Sequence, residues 1–439
     1  MSYSIPRPSH RTLNPPTGGS IITQTAKLAI HGALTLAALT LLLLATARPA
    51  HAQYETELYS FPESTDCCGG PAAPVITDGN GNFYSTTRAL GQYGNGSVFE
   101  VSPNGSEYEY TLYSFCADSP ACPDGSYPGY AGVIRDKEGN FYGTTAFGGA
   151  NGCGVVYELS PSGVNYIQRV LFSFPPAPTN TSINDYNCAP LYGVIMDKAG
   201  NLYGTTSYGI ISNNGPTGHG GGVFELTQSN GVWKEKLIYK YDYYSLSGVT
   251  LDAAGNLYGI GANSGDVPYL FQLSPNGSGG WTPTAIHYFG FKDYKLGSNP
   301  TATPVLDAAG NLYGTTGSGG AYNSGAVYKA SKTESGWTYE LLYSLDGKDG
   351  GENPFGGVSL AANGDIFGTT QYGGTGSDGV VFGLTPNGEG GYTEKVLANF
   401  DGSDGNDPLA GVLLSGGNLY GTTSQGGAYS AGLVYEVTP

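Results

Sequence analysis

The sequence predicts an all-β protein, a seven-bladed β-propeller of four-stranded antiparallel blades closed by its own N-terminal strand. Three observations carry that reading. A phrase such as Gly417-Asn418-Leu419-Tyr420-Gly421-Thr422-Thr423 occurs seven times, its other copies centred on Asn82, Asn140, Asn201, Asn256, Asn311 and Asp365. The spacings of 58, 61, 55, 55, 54 and 53 residues are too long for one coil of a β-helix and fit a unit of several strands. No segment sustains a 3.6-residue apolar period, and 72 Gly with 35 Tyr in 439 residues suit short strands joined by tight turns. The third observation lies at the ends: the seventh unit lacks a fourth strand, and a spare strand precedes the first unit.

Each unit divides into four apolar runs, a to d, which in the second unit are predicted at residues 132–136, 140–145, 155–160 and 166–174. The connection from a to b, Asp136-Lys137-Glu138-Gly139-Asn140, recurs at 197–201, 252–256 and 307–311. Its Asp can accept from turn amides and its Gly can take positive φ, so a tight hairpin is expected. The connection from c to d, as in Ser160-Pro161-Ser162-Gly163, Ser274-Pro275-Asn276-Gly277 and Thr385-Pro386-Asn387-Gly388, is also a turn. The b to c connections (146–154, 207–222, 317–325, 424–432) and the d to a connections (116–131, 175–191) are longer and variable. Alternate connections of an up-and-down sheet emerge on one side, so one face should carry all the long loops. The fourth unit departs most, with Ile260-Gly261 in place of Thr-Thr and a short 262–267 loop that should leave a notch.

Residues 54–61 read like the d strand Tyr110-Thr111-Leu112-Tyr113-Ser114-Phe115, and the chain ends on the c strand 433–437. Pairing the two completes the seventh sheet and leaves no free edge between the termini. The alternative is an open β-solenoid, which would need capping ends. Recurring rings on strand b (Tyr84, Tyr142, Tyr203, Tyr258, Tyr313, Phe367, Tyr420) and strand c (Phe99, Tyr157, Phe224, Phe271, Tyr328, Phe382, Tyr435) are expected to pack blade against blade.

Residues 1–52 read as a signal peptide: Arg7, Arg11 and Lys27 precede an apolar run, 33–47, too short to span a bilayer comfortably, and Ala50-His51-Ala52 offers a cleavage site. An uncleaved membrane anchor is the competing reading. Residues 53–439 would then form a single propeller domain, a monomer with no membrane span, secreted or periplasmic. Its 14 Lys+Arg against 35 Asp+Glu give a formal charge of −21, which excludes nucleic acid and anionic lipid as partners. Six cysteines, Cys67, Cys68, Cys116, Cys122, Cys153 and Cys188, all fall in long-loop connections, and an even count in an exported chain suggests disulfides. Cys116 and Cys122 bracket one short loop and are the favoured pair. Their spacings do not suit zinc.

Three constellations could carry chemistry. Aromatics at the b to c loops, Phe147, Tyr208, Tyr322, Tyr372 and Tyr429, suit stacking on sugar rings or docking of a protein, or else lie down and stiffen the loops. His219, in the Gly-rich 215–222 loop, is a candidate ligand-binding residue on the same face, and His287 lies in another blade. The equivalent d to a loops holding Asp346 and Asp349, and Asp401, Asp404 and Asp407, offer hard oxygen ligands suited to calcium, against ordinary Asp-Gly turn chemistry. No other cofactor is implied.

With its seven Gly-Asn/Asp-x-Tyr/Phe-Gly-Thr-Thr strands, Gly81 to Thr87 having Ser85 at the Gly place, each followed by a Gly-x-Val-Phe/Tyr-like strand, the chain resembles the exported tandem-repeat proteins called GloVer repeat proteins. The resemblance implies a propeller-like extracellular protein with no catalytic motif to transfer. Members often end in a surface-anchoring tail, whereas nothing follows Pro439, so a released or periplasmic protein is expected. The leading reading is a non-catalytic binding module that engages carbohydrate or a cell-surface protein on the long-loop face. A hydrolase or lyase at the mouth of the channel and a structural envelope component are the alternatives.

Overall fold

The structure is a computed structural model that describes residues 55–439 apart from 63–68, 103–108, 176–189, 208–210, 213–214, 217–220, 242–243 and 291–293. The proposed signal peptide, Cys67, Cys68, Cys188, Tyr208 and His219 lie outside the described residues. Seven four-stranded antiparallel sheets follow one another, each with the order a-b-c-d. In blade 1 the strands are Ile76–Thr77, Phe83–Thr87, Ser97–Val101 and Glu109–Ser114. In blade 7 they are Leu413–Ser415, Asn418–Thr423, Leu433–Val437 and, from the start of the chain, Glu55–Ser60. The register of that closing pair runs from Glu55 opposite Val437 to Ser60 opposite Leu433. The propeller and its closure are therefore as the repeat predicts, and the solenoid alternative fails.

The repeated phrase decomposes into separate physical tasks. In blades 1 to 5 the Asp that opens the a–b hairpin accepts the backbone amide of the phrase's Asn through Oδ1, as Asp136 does from Asn140 at 2.8 Å. Its Oδ2 accepts both the Asn side chain and the Tyr hydroxyl two residues on, at 2.7 and 2.9 Å for Asp252. The hairpin Gly takes positive φ, 88° at Gly139, as expected of this turn. Blade 7 lacks the Asp and uses Glu436 instead, which accepts from Asn418 and Tyr420.

The second Gly of the phrase is required by the ring opposite it on strand c. Gly143 pairs with Tyr157 and Gly421 with Tyr435, and a Cβ at either would lie 2.4 or 2.3 Å from the Tyr hydroxyl. The ring covers the bare backbone and is itself fully buried. At six of the seven blade junctions it also meets a ring that follows strand d of the preceding blade. The centroid separations run from 4.9 Å for Phe61–Phe99, between blades 7 and 1, to 5.7 Å for Tyr241–Phe271. Leu345 takes that place ahead of Phe382. Strand b rings reach the neighbouring blade too: Tyr84 lies 4.8 Å from Phe141 and Phe83 stacks on Tyr420 at 4.2 Å.

The first Thr of the phrase links the blades around the axis. Its hydroxyl donates to the carbonyl ahead of the next blade's strand a, as in Thr86 to Ala131 at 2.7 Å and Thr144 to Tyr192 at 2.9 Å. Thr205, Thr315 and Thr369 repeat the bond, and Thr422 closes the circle onto Ala73. Blade 4, with Ile260, lacks it; there Ser247 Oγ accepts the Ile260 amide and Thr303 Oγ1 accepts that of Gly248. The second Thr works within its blade, accepting the first amide of strand c, as Thr145 does from Val155.

Two expected boundaries shift. Strand a of blade 2 pairs only over Ile134–Arg135, not 132–136, because the innermost strands crowd at the axis. A Cβ on Gly411 would lie 2.3 Å from the Gly357 carbonyl of the preceding blade. The blade 2 c–d turn also moves outward: strand c, Val155–Ser162, runs through Pro161, and the turn is Gly163-Val164. Strand b begins opposite Leu159, so the amide that Pro161 lacks is not needed for the b ladder.

Among the described residues the buried hydroxyls of Tyr157, Tyr328 and Tyr435 find no hydrogen-bond partner, while equivalent positions hold Phe99, Phe224, Phe271 and Phe382. Tyr157→Phe and Tyr328→Phe should therefore leave stability unchanged or raise it by up to about 1 kcal/mol each. Gly143→Ala should cost about 1–3 kcal/mol by overpacking. Denaturant melts check both, and a destabilised Phe variant beside a neutral Ala variant would contradict this packing.

Candidate functional site

The five loop aromatics named from sequence belong to two distinct positions. Phe147, Tyr208 and Tyr372 stand two residues after the second Thr, whereas Tyr322 and Tyr429 stand six residues after it. The sixth position also holds Tyr93, which the sequence reading missed although counting from Thr87 would have found it. At the first position the backbone is tied to the preceding d to a loop: Phe147 exchanges two hydrogen bonds with Ser126, and Tyr372 two with Glu352. The Thr145 and Thr370 hydroxyls donate to their carbonyls, both at 2.9 Å. Phe147 leans edge-on against Tyr127, 5.9 Å away.

At the second position the residue ahead of each Tyr donates its amide to a Ser at the end of the blade's own outer strand. Gln92, Ala321 and Ala428 bond Ser114, Ser344 and Ser60, each at 3.0 Å. The preceding Gly has positive φ in every case, and a Cβ on Gly427 would lie 2.6 Å from Ser60 Oγ. The loops are thus rigid while the rings stay out in solvent. Tyr93, Tyr322 and Tyr429 are 42%, 64% and 55% exposed, and Phe147 and Tyr372 are 43% and 48% exposed.

The long-loop side is braced by the Cys116–Cys122 disulfide, as the spacing suggested. The Cys122 carbonyl accepts the Gly149 amide and so docks this loop on the b to c loop of blade 2. Cys153 is also disulfide-bonded.

Three of the candidate calcium aspartates, Asp346, Asp401 and Asp404, are engaged in turn chemistry. Asp346 Oδ1 accepts the Lys348 and Gly350 amides, Asp401 Oδ1 accepts from Ser403, and Asp404 Oδ1 accepts the Asp401 amide. Asp407 Oδ2 accepts from Ser424 and Gln425, and Asp349 is exposed. Among the described residues no three or more His, Cys, Asp or Glu side chains gather as metal ligands would. His287 stacks on Tyr339 at 3.7 Å, inside blade packing.

Two glutamates at equivalent places on outer strands, Glu55 opposite Val437 and Glu394 opposite Leu384, sit against those acidic loops. Burial, with Asp404, Asp401 and Glu57 adding, pushes the Glu55 carboxyl up to about 8. Burial also raises Glu394 to about 7, the Tyr343 hydroxyl opposing and Asp346 adding.

A cavity of about 430 Å³ lies on the axis, lined by residues of all seven innermost strands and the segments leading into them. Its walls are mostly Val, Ile, Ala, Gly and Pro, and no lining residue is charged. Tyr130 of blade 2 meets Phe355 of blade 6 across it at 5.4 Å, and lies 6.4 Å from Tyr192. This meeting is not legible in the sequence, because the rings stand in variable connections of blades far apart in the chain.

Fold and loops together define a seven-bladed repeat propeller whose b to c loops carry exposed rings. The chain matches the Gloeobacter/Verrucomicrobia repeat over residues 46–266 and 245–439, and it belongs to that family. Among solved structures it is similar to a protein from Lactobacillus plantarum (TM-score 0.45, 11% identity, covering 77% of this chain and 91% of that one). It is also similar to an ulvan lyase of a new polysaccharide lyase family, solved bound to a glucuronate–sulfated rhamnose saccharide (TM-score 0.44, 10% identity, 87% and 95% covered). No curated protein matches the chain.

The two raised glutamates set a pH dependence. Each holds its proton more tightly in the folded chain than in the unfolded one, so stability is fully present below the unfolded value near 4.5 and falls as pH rises through 7 to 8. The melting temperature should drop between pH 5 and about 8.5, the window those values define, and Glu55→Gln with Glu394→Gln should flatten the drop. A wild-type profile that rises across the window would contradict it.

Proposed function

We propose that the protein is a non-catalytic binding module that engages carbohydrate or a cell-surface protein through the long-loop face. The observation that carries this is the recurrence of exposed Tyr93, Tyr322 and Tyr429 at one place in blades 1, 5 and 7, on loops pinned by the same serine bond. Rings held out in water on rigid loops have no packing task and lose little entropy on binding. A phenol presents a flat apolar face to a sugar ring and a hydroxyl to its polar edge. Small Gly and Ala neighbours let a ligand approach the backbone. Phe147 and Tyr372, tied nearer the preceding loop, extend the same surface, and Tyr208 and His219 belong to it by sequence position.

No carboxylate, histidine or lysine lines the axial cavity, where Tyr130 and Tyr192 are the titratable side chains. An exported location fits the disulfides, which persist in oxidising compartments. Among the described residues no helix is long and apolar enough to cross a membrane.

Glycan arrays and pull-downs with wild type against Tyr322→Ala plus Tyr429→Ala test the surface. Signal should fall by at least tenfold if each ring contributes about 1 kcal/mol. Binding that survives both changes unaltered removes the site.

A further inference from the structure

We infer that the corner between Tyr93 and the outer strand of blade 1 is a saccharide subsite that takes an uncharged sugar ring. The inference rests on the reading of the long-loop face as a binding surface and narrows it to one chemistry.

A cavity of about 400 Å³ lies at this corner, lined by Gln92 and Tyr93 of the b to c loop, by strand d from Thr111 to Ser114, and by Ala117. Its volume falls in the range of small-molecule sites. Gln92, Tyr93, Thr111 and Ala117 are exposed, so it opens to solvent. Its loop wall is fixed: the Gln92 amide bonds Ser114 Oγ at 3.0 Å, and a Cβ on Gly91 would lie 2.9 Å from that oxygen.

Two tyrosines line the cavity. Tyr113, opposite Val98, packs edge-on against Phe115 at 5.1 Å and not against Tyr93. Tyr93 makes no ring contact among the described residues and offers its face to a ligand. A sugar ring can lay the apolar C–H side of its pyranose there. The same two places hold Tyr in the other ring-bearing blades: Tyr343, opposite Val327, accompanies Tyr322, and Tyr59, opposite Val434, accompanies Tyr429. Blade 1 adds Gln92 where Ala321 and Ala428 precede the other exposed rings.

The polar groups suit hydroxyls. Tyr113 donates its proton to Asp124 Oδ2 at 2.8 Å, which leaves its oxygen as an acceptor. Gln92 and Tyr93 bond through their backbone, so among the described residues the Gln92 side-chain amide and the Tyr93 hydroxyl are free. A sugar hydroxyl both donates and accepts, and matches that set. An apolar side chain of a protein partner would cover the amide and the phenol without replacing their bonds to water.

Charge decides which sugar. No charged residue lines the cavity. Burial and the bond to Asp124, with Tyr93 and Asp118 adding, push the Tyr113 hydroxyl above its ordinary range, so the surrounding field is negative. That field opposes a uronate or a sulfate, which would also meet acceptor oxygens with no Lys or Arg in the wall. Asp124 is already committed to Tyr113 and to the Cys116 amide, so an amino sugar gains no partner from it.

An array of glucose, galactose and mannose tetrasaccharides beside the tetramers of their uronates tests the subsite, with calorimetry on the hits. Wild type should bind at least one neutral tetramer, roughly tenfold or more tighter than its uronate. Tyr93→Ala should weaken that binding about tenfold, and Gln92→Ala about fivefold. Both side chains are exposed and Gln92 holds Ser114 through its backbone, so neither change disturbs the loop. Uronates bound as tightly as neutral tetramers would overturn the inference. Neutral binding that neither variant weakens would overturn it too, while its loss in Tyr322→Ala plus Tyr429→Ala would leave the wider surface standing. Wild type that binds no saccharide also overturns it, and a protein partner lost in that double variant would then keep the rim reading alone.

Discussion

The structure depends on one pairing, that of Glu55–Ser60 with Leu433–Val437. Every other blade is made of consecutive strands, so six sheets would form in any linear arrangement of the repeat. Only the seventh joins the two ends. Without it, strand c of blade 7 would show an open ladder, and Phe61 would not reach Phe99 to complete the seam between blades 7 and 1. The axial cavity and the single long-loop face both exist because the sheets surround an axis.

Once the ring is closed, the phrase distributes the work of holding it. The Asn and Tyr fix the a–b hairpin, the Gly receives the opposing ring, the first Thr ties its blade to the next, and the second Thr shapes the loop that follows. Each hydrogen bond contributes only about 1 kcal/mol, but the same bond recurs in six junctions. Blade 4 shows that the tie is a task and not a residue: with Ile260 in place of Thr, bonds through Ser247 and Thr303 link the same two segments. The buried Tyr hydroxyls are the unused part of the grammar, since a Phe does the same packing.

Nearly all of the fold was legible in the sequence, because each task recurs with its residue at a fixed spacing. The closing strand could be read from the resemblance of 54–61 to Tyr110-Thr111-Leu112-Tyr113-Ser114-Phe115, and Cys116–Cys122 from the shortness of their loop. What escaped was set by packing in three dimensions. The brevity of strand a follows from crowding at the axis, which no single repeat records. The loop aromatics looked like one set until the bonds to Ser114, Ser344 and Ser60 separated an outer position from an inner one and added Tyr93. Tyr130, Tyr192 and Phe355 lie in connections that do not align, so only the ring brings them to one cavity. The raised carboxyls of Glu55 and Glu394 were equally hidden, since their burial is set by a loop from the preceding blade.

Fold and function separate cleanly here. The repeat accounts for the blades and leaves the b to c loops free to differ, so the exposed tyrosines can change without disturbing the wheel. The central claim is the zip between first and last strands, and native-state hydrogen exchange reads it directly. The amide of Phe61, bonded to the Gly432 carbonyl, and those amides of the outer strand that point into Leu433–Val437 should exchange with the same opening free energy as that of Gly421 inside the same sheet. Exchange of the first group at the rate of a frayed terminus, with the second still protected, would contradict the closed ring.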